Sequence, residues 1–297
     1  MKKSIFLLIG FGICSSFASA QEEVANDSSI NSTVFKQSFG RFSLNYASDW
    51  IYAGRKDIQS LPYLTAAAGY FHRSGLFLRG AASLMLSGQE KRVDQLKITG
   101  GYAQYKNKLF WGLNGSLFAY NDSSYALMAE INASAYGYLG YDFSLFELTA
   151  DAGTLFGNAT DLTAGLELSK TVYANNGKVR LIPSVYLLGG SQRYYNAYYQ
   201  IRSTETKKRI GRGNGSGSGT IVTTDTTVVV ENSSRFKLLS YEFSLSAQIT
   251  AGRFRFGFIP AYIIPINPSS ITIDQVTTPE KLENSFYFSA SVAYRLD

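Results

Sequence analysis

The sequence predicts an all-β chain closed into one antiparallel transmembrane barrel of about twelve strands, within a range of ten to fourteen. Three observations carry this. The chain opens with an export signal, apolar and polar residues alternate along most of its length, and no later apolar run is long enough to cross a membrane as a helix. The alternation is clearest where Leu239, Tyr241, Phe243, Leu245, Ala247 and Ile249 interleave with Ser240, Glu242, Ser244, Ser246 and Gln248. Successive strand side chains point to opposite faces, so one face is apolar and the other polar. A soluble sheet can carry one such run. An exported chain that repeats it reads as strands with lipid outside and a polar lumen inside, because only a closed sheet satisfies its backbone in hydrocarbon.

The export signal occupies residues 1–20. Lys2 and Lys3 precede an apolar run from Ile5 to Ile13, and Ala18-Ser19-Ala20 supplies the small residues of a cleavage site. Cys14 follows Ile13 rather than a small residue, which argues against a lipoprotein. Cleavage after Ala20 removes the only cysteine, so the mature chain is expected to hold no disulfide and no thiolate metal site. Residues 21–38 read as an amino-terminal periplasmic segment, and 39–297 as the barrel.

Composition agrees with this class. The chain has 21 Tyr and 20 Phe, residues favoured both in strands and at membrane interfaces. The net charge of +6 falls to about +4 when Lys2 and Lys3 are lost. A charge that small, on an exported chain, gives no argument for nucleic acid.

The strands are expected at roughly 39–52, 61–71, 76–86, 92–105, 109–120, 125–139, 145–156, 162–173, 179–194, 235–249, 254–264 and 285–296. In the last, Phe286, Phe288, Ala290, Val292, Tyr294 and Leu296 oppose Tyr287, Ser289, Ser291, Ala293 and Arg295. The alanines of the second do not separate its faces. Tight connections fall at 72–75, 106–108, 140–144, 174–178 and 250–253, and Asn176-Gly177 is a strong hairpin signal. They alternate with connections several of which are longer, as short periplasmic turns alternate with outer loops in bacterial barrels. An even strand count places both termini in the periplasm.

The chain resembles bacterial outer-membrane β-barrel proteins. Its Tyr, Phe and Asn content and the segment Pro260-Ala261-Tyr262-Ile263-Ile264-Pro265-Ile266-Asn267-Pro268 are similar to uncharacterised barrels of the Bacteroidetes. The resemblance covers about residues 39–297 and carries no assigned activity. It implies the outer membrane of a Gram-negative bacterium, contact with outer-membrane lipid and handling by the barrel-assembly machinery. Such barrels usually end on an aromatic residue, whereas this chain ends Tyr294-Arg295-Leu296-Asp297.

Charges on strands should point inward, since Arg or Lys on the lipid face at mid-membrane costs about 2–4 kcal/mol. The expected lumen cations are Arg79, Lys97, Arg180, Arg255 and Arg295, and the anions are Glu130, Glu147, Asp151, Glu167 and Glu242. Lys170 falls on the lipid side near the periplasmic end, where it can snorkel. Glu130, Glu147, Asp151 and Glu167 come from strands six to eight. Arg255, Arg295, Arg79 and Lys97 come from strands eleven, twelve, three and four, broadly opposite. One reading is a transverse field that orients passing solutes. The other is an ion-paired network that fills a narrow lumen. Inward glycines at Gly101, Gly112, Gly165 and Gly257 would leave room for water.

The longest outer connection, 195–234, carries a basic cluster of Arg202, Lys207, Lys208, Arg209 and Arg212 and a flexible tract from Gly211 to Gly219. Tyr194, Tyr195, Tyr198 and Tyr199 are expected near the outer interface. The β-rich stretch from Thr220 to Val230 predicts a hairpin that extends strands nine and ten. The loop reads as a contact for anionic glycans, a lid, or a solvated loop among anionic headgroups. Catalysis is not expected: His72, the only histidine, falls in a periplasmic turn, and no metal cluster, nucleophile elbow or phosphate-binding loop is found. No cofactor is predicted. Two functions remain. One is a narrow porin-like channel or structural barrel for small polar solutes. The other is a surface-interaction barrel with a plugged lumen that acts through 195–234.

Overall fold

The computed structural model describes residues 35, 37–57, 59–87, 91–121, 124, 126–196, 198–199, 228–273 and 275–297. Twelve strands build the barrel: β1 (Phe39–Ala47), β2 (Tyr63–Phe71), β3 (Leu76–Met85), β4 (Arg92–Lys106), β5 (Leu109–Tyr120), β6 (Ile131–Asp142), β7 (Glu147–Gly157), β8 (Thr160–Ser169), β9 (Val179–Gly190), β10 (Lys237–Ala251), β11 (Phe254–Pro265) and β12 (Ser285–Leu296). Each pairs antiparallel with its chain neighbours. β1 pairs with β12 from Gly40–Leu296 to Ala47–Ser289, so the ring closes and no edge strand remains. A short strand, Val172–Ala174, adds to β9 beyond the end of β8.

Lipid-facing positions form a continuous apolar belt. Leu78, Ile98, Leu113, Leu117, Leu139 and Leu162 are all more than half exposed. Ala66 and Ala68 face outward with them while Ala67 is buried inside, which settles the faces of β2. The longest connections gather at one end of the barrel, although the two-residue link 158–159 also lies there. By the pattern of bacterial barrels that end is the outer one and the other is the periplasmic. Left-handed residues close the turns there: Asn107 (φ 61°), Ser144 (φ 71°), and Asn175, Asn176 and Gly177 (φ 50°, 54° and 82°).

Several expected boundaries move, mostly at the outer end. β1 stops at Ala47 rather than 52, and Ile51–Tyr52 pairs with Arg55–Lys56 in a small outer hairpin. β6 starts at Ile131 rather than 125, because Ala126, Leu127 and Met128 fold into the mouth instead of pairing. It runs on to Asp142, so its turn is 143–146 rather than 140–144. β8 and β9 end at Ser169 and Gly190, short of 173 and 194. Val228–Val230 does not extend β9. It pairs with Ser270–Ile273, which pairs with Val276–Pro279, in a three-stranded sheet. The rest of the expected Thr220–Val230 hairpin lies outside the described residues. Leu239 leaves the lipid face altogether and is 0% exposed. A bulge between Leu188 and Gly189 shifts the β9–β10 register beside it.

Candidate functional site

Most of the expected lumen charges lie inside the barrel and out of reach of solvent. Arg79, Lys97, Glu147, Glu167, Arg180 and Glu242 are each 2–7% exposed. Asp151, Arg255 and Arg295 are half-buried. Glu130 does not join them. It sits in the outer turn that precedes β6, where its carboxylate accepts a hydrogen bond from Asn158, so it belongs to the rim.

Pairings connect several of these groups. Arg180 Nη2 donates to Gln248 Oε1 at 3.0 Å. Tyr186 Oη donates to Asp151 at 3.1 and 3.2 Å, and Tyr287 Oη to Glu242 Oε1 at 3.2 Å. Between the charges run hydroxyls, with Thr99 against Ser116 at 2.9 Å and Ser184 against Ser244 at 2.8 Å.

Sequence reasoning missed Arg41. Its position on β1 gives it the inward parity of Phe39 and Ser43, and it is 5% exposed. Its guanidinium lies 5.2 Å from the Phe39 ring and 5.5 Å from Phe71, while that of Arg295 lies 4.3 Å from Phe39. Cation–π contacts of this kind hold charge beside an apolar cluster. That cluster joins Phe35, Phe39, Phe71, Phe77, Tyr105, Phe110 and Tyr138 at the periplasmic end of the lumen.

Three of the four inward glycines, Gly101, Gly112 and Gly165, are filled by neighbouring rings rather than left open to water. A Cβ on Gly101 would lie 2.6 Å from the Phe77 ring, one on Gly112 2.4 Å from Tyr138 Oη, and one on Gly165 within 2 Å of Tyr186 Oη. Gly140 and Gly153, not singled out from the sequence, seat Phe110 and Tyr136 in the same way. In four of these cases the glycine and the ring are direct cross-strand partners: Gly101–Phe77, Gly112–Tyr138, Gly140–Phe110 and Gly153–Tyr136. The missing side chain is the seat of the neighbouring ring. At Gly257 the neighbour is Ser291 Oγ, 2.6 Å from a built Cβ.

The outer mouth is filled by its own loops. Trp50, Tyr52, Leu61, Leu127, Met128, Tyr194, Tyr195 and Tyr198 pack with the inward ends of the strands in one apolar cluster. The tyrosines expected at the outer interface therefore turn inward: Tyr194, Tyr195 and Tyr198 are 3%, 3% and 7% exposed. Burial pushes the Tyr194 and Tyr195 phenols above the usual tyrosine range.

Buried carboxylates pin several of these loops. Asp161 Oδ1 accepts from Ser191 Oγ at 2.6 Å and from Arg193 N at 2.8 Å, and its Oδ2 accepts from Tyr194 N at 2.9 Å. Asp94 receives Tyr63 Oη at 2.5 Å and Ser124 Oγ at 2.7 Å. Asp49 receives Trp50 N and Leu61 N, and Asp57 receives Tyr198 Oη. Arg55 and Glu280 form an ion pair at 3.1 Å with side chains 1% and 3% exposed. None of these was singled out from the sequence, where Asp49 and Asp94 fall inside expected strands and the others read as ordinary loop charges.

The basic cluster Arg202, Lys207, Lys208, Arg209 and Arg212 lies outside the described residues. His72 occupies its expected periplasmic turn. Its Nδ1 accepts the Ser74 N–H at 3.2 Å and lies 2.9 Å from Ser74 Oγ, a local bond that shapes the turn. Among the described residues, no group of three or more His, Cys, Asp or Glu could hold a metal ion.

No family model and no curated protein matches the sequence. Solved structures give likenesses of low identity. A NanC porin aligns with a TM-score of 0.46 at 7% identity, covering 86% of this chain and 98% of that one. An outer-membrane channel from Pseudomonas putida F1 aligns at 0.44 and 10%, covering 91% and 97%. LpxR from Salmonella typhimurium aligns at 0.43 and 9%, covering 86% and 99%. The closed antiparallel ring with its apolar belt is itself the architecture of an outer-membrane barrel.

Proposed function

We propose that the chain is a narrow porin-like barrel of a Gram-negative outer membrane, closed at rest by packed lumen side chains beneath a cap of outer loops. Small polar solutes enter only when the cap moves and the lumen side chains part beneath it. One observation supports this most directly. The lumen wall is polar and charged, yet Lys97, Thr99, Glu167 and Ser246 at mid-barrel are 4%, 1%, 2% and 0% exposed. A wall facing a water-filled pore would be far more accessible. Twelve strands enclose a space between the filled eight-stranded barrels and the open sixteen-stranded porins, so side chains can close it.

The test is single-channel conductance in a planar bilayer, with folding checked by a heat-dependent gel shift. The wild-type barrel is expected to be silent, and Arg55→Ala is expected to give discrete ion-conducting steps. Steady wild-type conductance would show an open pore and overturn the closed state. A folded Arg55→Ala barrel that stays silent would remove transport.

A second reading is favoured by the sheet above the mouth. Val229 and Val276 there are 49% and 65% exposed, apolar residues on its two opposite faces and outside the lipid belt. In this reading the barrel is a scaffold, and the loop 195–234 with its basic cluster binds a surface partner such as an anionic glycan. Deleting residues 205–230 would then abolish binding of a sulfated glycan to the folded barrel without changing conductance.

A further inference from the structure

The turn 143–146 joins β6 to β7 with the sequence Phe143-Ser144-Leu145-Phe146. Turns on a water-facing rim are usually polar. Here Leu145 is 76% exposed, the highest value for a large apolar side chain among the described residues, and Phe143 is 49% exposed. Tyr141 meets Phe143 edge-on at 4.8 Å, and Phe143 stacks on Phe146 at 4.9 Å. This aromatic, apolar tip suits the headgroup level of a bilayer, where apolar and polar surroundings meet.

Two lysines bracket the tip, one from each neighbouring hairpin. Lys108 Nζ donates to Ser144 Oγ at 2.7 Å, and Lys170 Nζ donates to the Ser144 carbonyl oxygen at 2.5 Å. The backbone fixes this arrangement. Asp142 N donates to Lys108 O at 2.9 Å, and Asp142 Oδ1 accepts the Ser144 N–H at 2.5 Å. Two ammonium charges at one neutral serine repel each other. The nearby carboxylates, Asp142 and Glu147, are 5% and 4% exposed and belong to the lumen face, where Thr171 Oγ1 donates to Glu147 at 2.9 Å. Among the described residues neither lysine has a carboxylate partner. The lipid side of the pair is therefore open to an anion.

We infer that Lys108, Lys170 and the turn 143–146 form a site for the anionic headgroup of a glycerophospholipid in the periplasmic leaflet. The phosphate sits between the two ammonium groups, which act as point charges. The acyl chains run up the wall along Leu109, Leu139 and Leu168, which are 42%, 54% and 47% exposed. This site is independent of the state of the lumen.

The test is native mass spectrometry of the mature barrel in detergent with equal amounts of phosphatidylglycerol and phosphatidylcholine. The wild type is expected to retain phosphatidylglycerol preferentially. Lys108→Gln/Lys170→Gln is expected to lower that preference roughly thirtyfold, from the attraction of two lysines near a headgroup. Lys108→Arg/Lys170→Arg and Lys178→Gln, which changes an exposed lysine of the next turn, should keep it. Equal retention of both lipids by the wild type, or an unchanged preference in the double Gln variant, would overturn the site. Displacement of the lipid by millimolar inorganic phosphate would overturn the lipid as its ligand and leave a free-anion site.

Discussion

At Arg55 a buried guanidinium meets acceptors from three separate parts of the chain. Nη1 donates to Ala53 O and Leu239 O at 2.8 and 3.2 Å, and Nη2 to Ile266 O and Asn267 O at 3.4 and 3.3 Å. Nε and Nη2 take the two oxygens of Glu280, whose Oε2 also accepts Ser269 N at 2.9 Å. The first outer loop, the start of β10 and the last outer loop thus converge on one side chain. Removing one partner of a buried pair costs about 3–5 kcal/mol, because the other charge stays buried. Arg55→Ala is expected to loosen loops 48–62 and 266–284 and leave the barrel folded, as faster hydrogen exchange confined to those loops would show. Nearby, Tyr194 and Tyr195 have phenols raised by burial, so the folded cap favours their neutral form. Their contribution to cap stability is complete below about pH 10, the unfolded value, and is lost as pH rises through the folded value. Ultraviolet titration of the folded barrel should show these phenols ionising after the exposed tyrosines and together with loop opening. Ionisation in step with the exposed tyrosines would contradict the burial.

At the scale of strands and loops, what the sequence shows depends on the range of the force involved. Alternation in β10, from Tyr241 to Ile249, is local, because lipid selects every second residue wherever the strand pairs. The strands and their order follow from that pattern together with the turn signals, except β2, whose alanines do not separate its faces. The glycine–ring seats do not, because they depend on cross-strand register: Gly112 reads as empty space until Tyr138 is known to stand opposite. The cap is hidden for a related reason. Ala126, Leu127 and Met128 read as strand by composition but take their place from contacts with loops distant in sequence. Arg41 was readable from parity alone, as an inward residue between Phe39 and Ser43. The seats give a prediction at this scale. Gly112→Ala should destabilise the barrel by about 1–3 kcal/mol, the usual cost of overpacking. Gly80→Ala, with nothing within 4 Å of its Cβ, should be nearly neutral. Urea unfolding in lipid vesicles measures both, and equal effects at the two sites would contradict the ring seat at Gly112.

At the scale of the whole barrel, the question is whether opposed charge belongs to a filled interior or to a water-lined path. The carboxylates Glu147, Asp151 and Glu167 stand on β7 and β8, while Arg41, Arg79, Lys97 and Arg295 stand on β1, β3, β4 and β12. Arg41 and Arg295 are direct cross-strand partners. Arg41 and Arg79 flank Gly69 in the same row, so like charges collect on one arc. Neighbouring like charges destabilise a sheet unless charge from elsewhere offsets them. In a barrel this narrow the carboxylates of the far wall can supply that offset across the lumen, and the barrel's stability then depends on charges at sites distant in sequence. The two alternatives differ in energy. Beside a water-filled pore, neutralising one carboxylate would change stability by about 0.5 kcal/mol or less, as at exposed pairs. In a closed lumen, Glu167→Gln at 2% exposure leaves buried cations short of countercharge and should cost about 3 kcal/mol. Unfolding of Glu167→Gln in vesicles distinguishes the two. A large loss that is insensitive to added salt marks a filled lumen, since buried charges are poorly screened. A small, salt-sensitive change would mean that water reaches Glu167 and that the lumen is open.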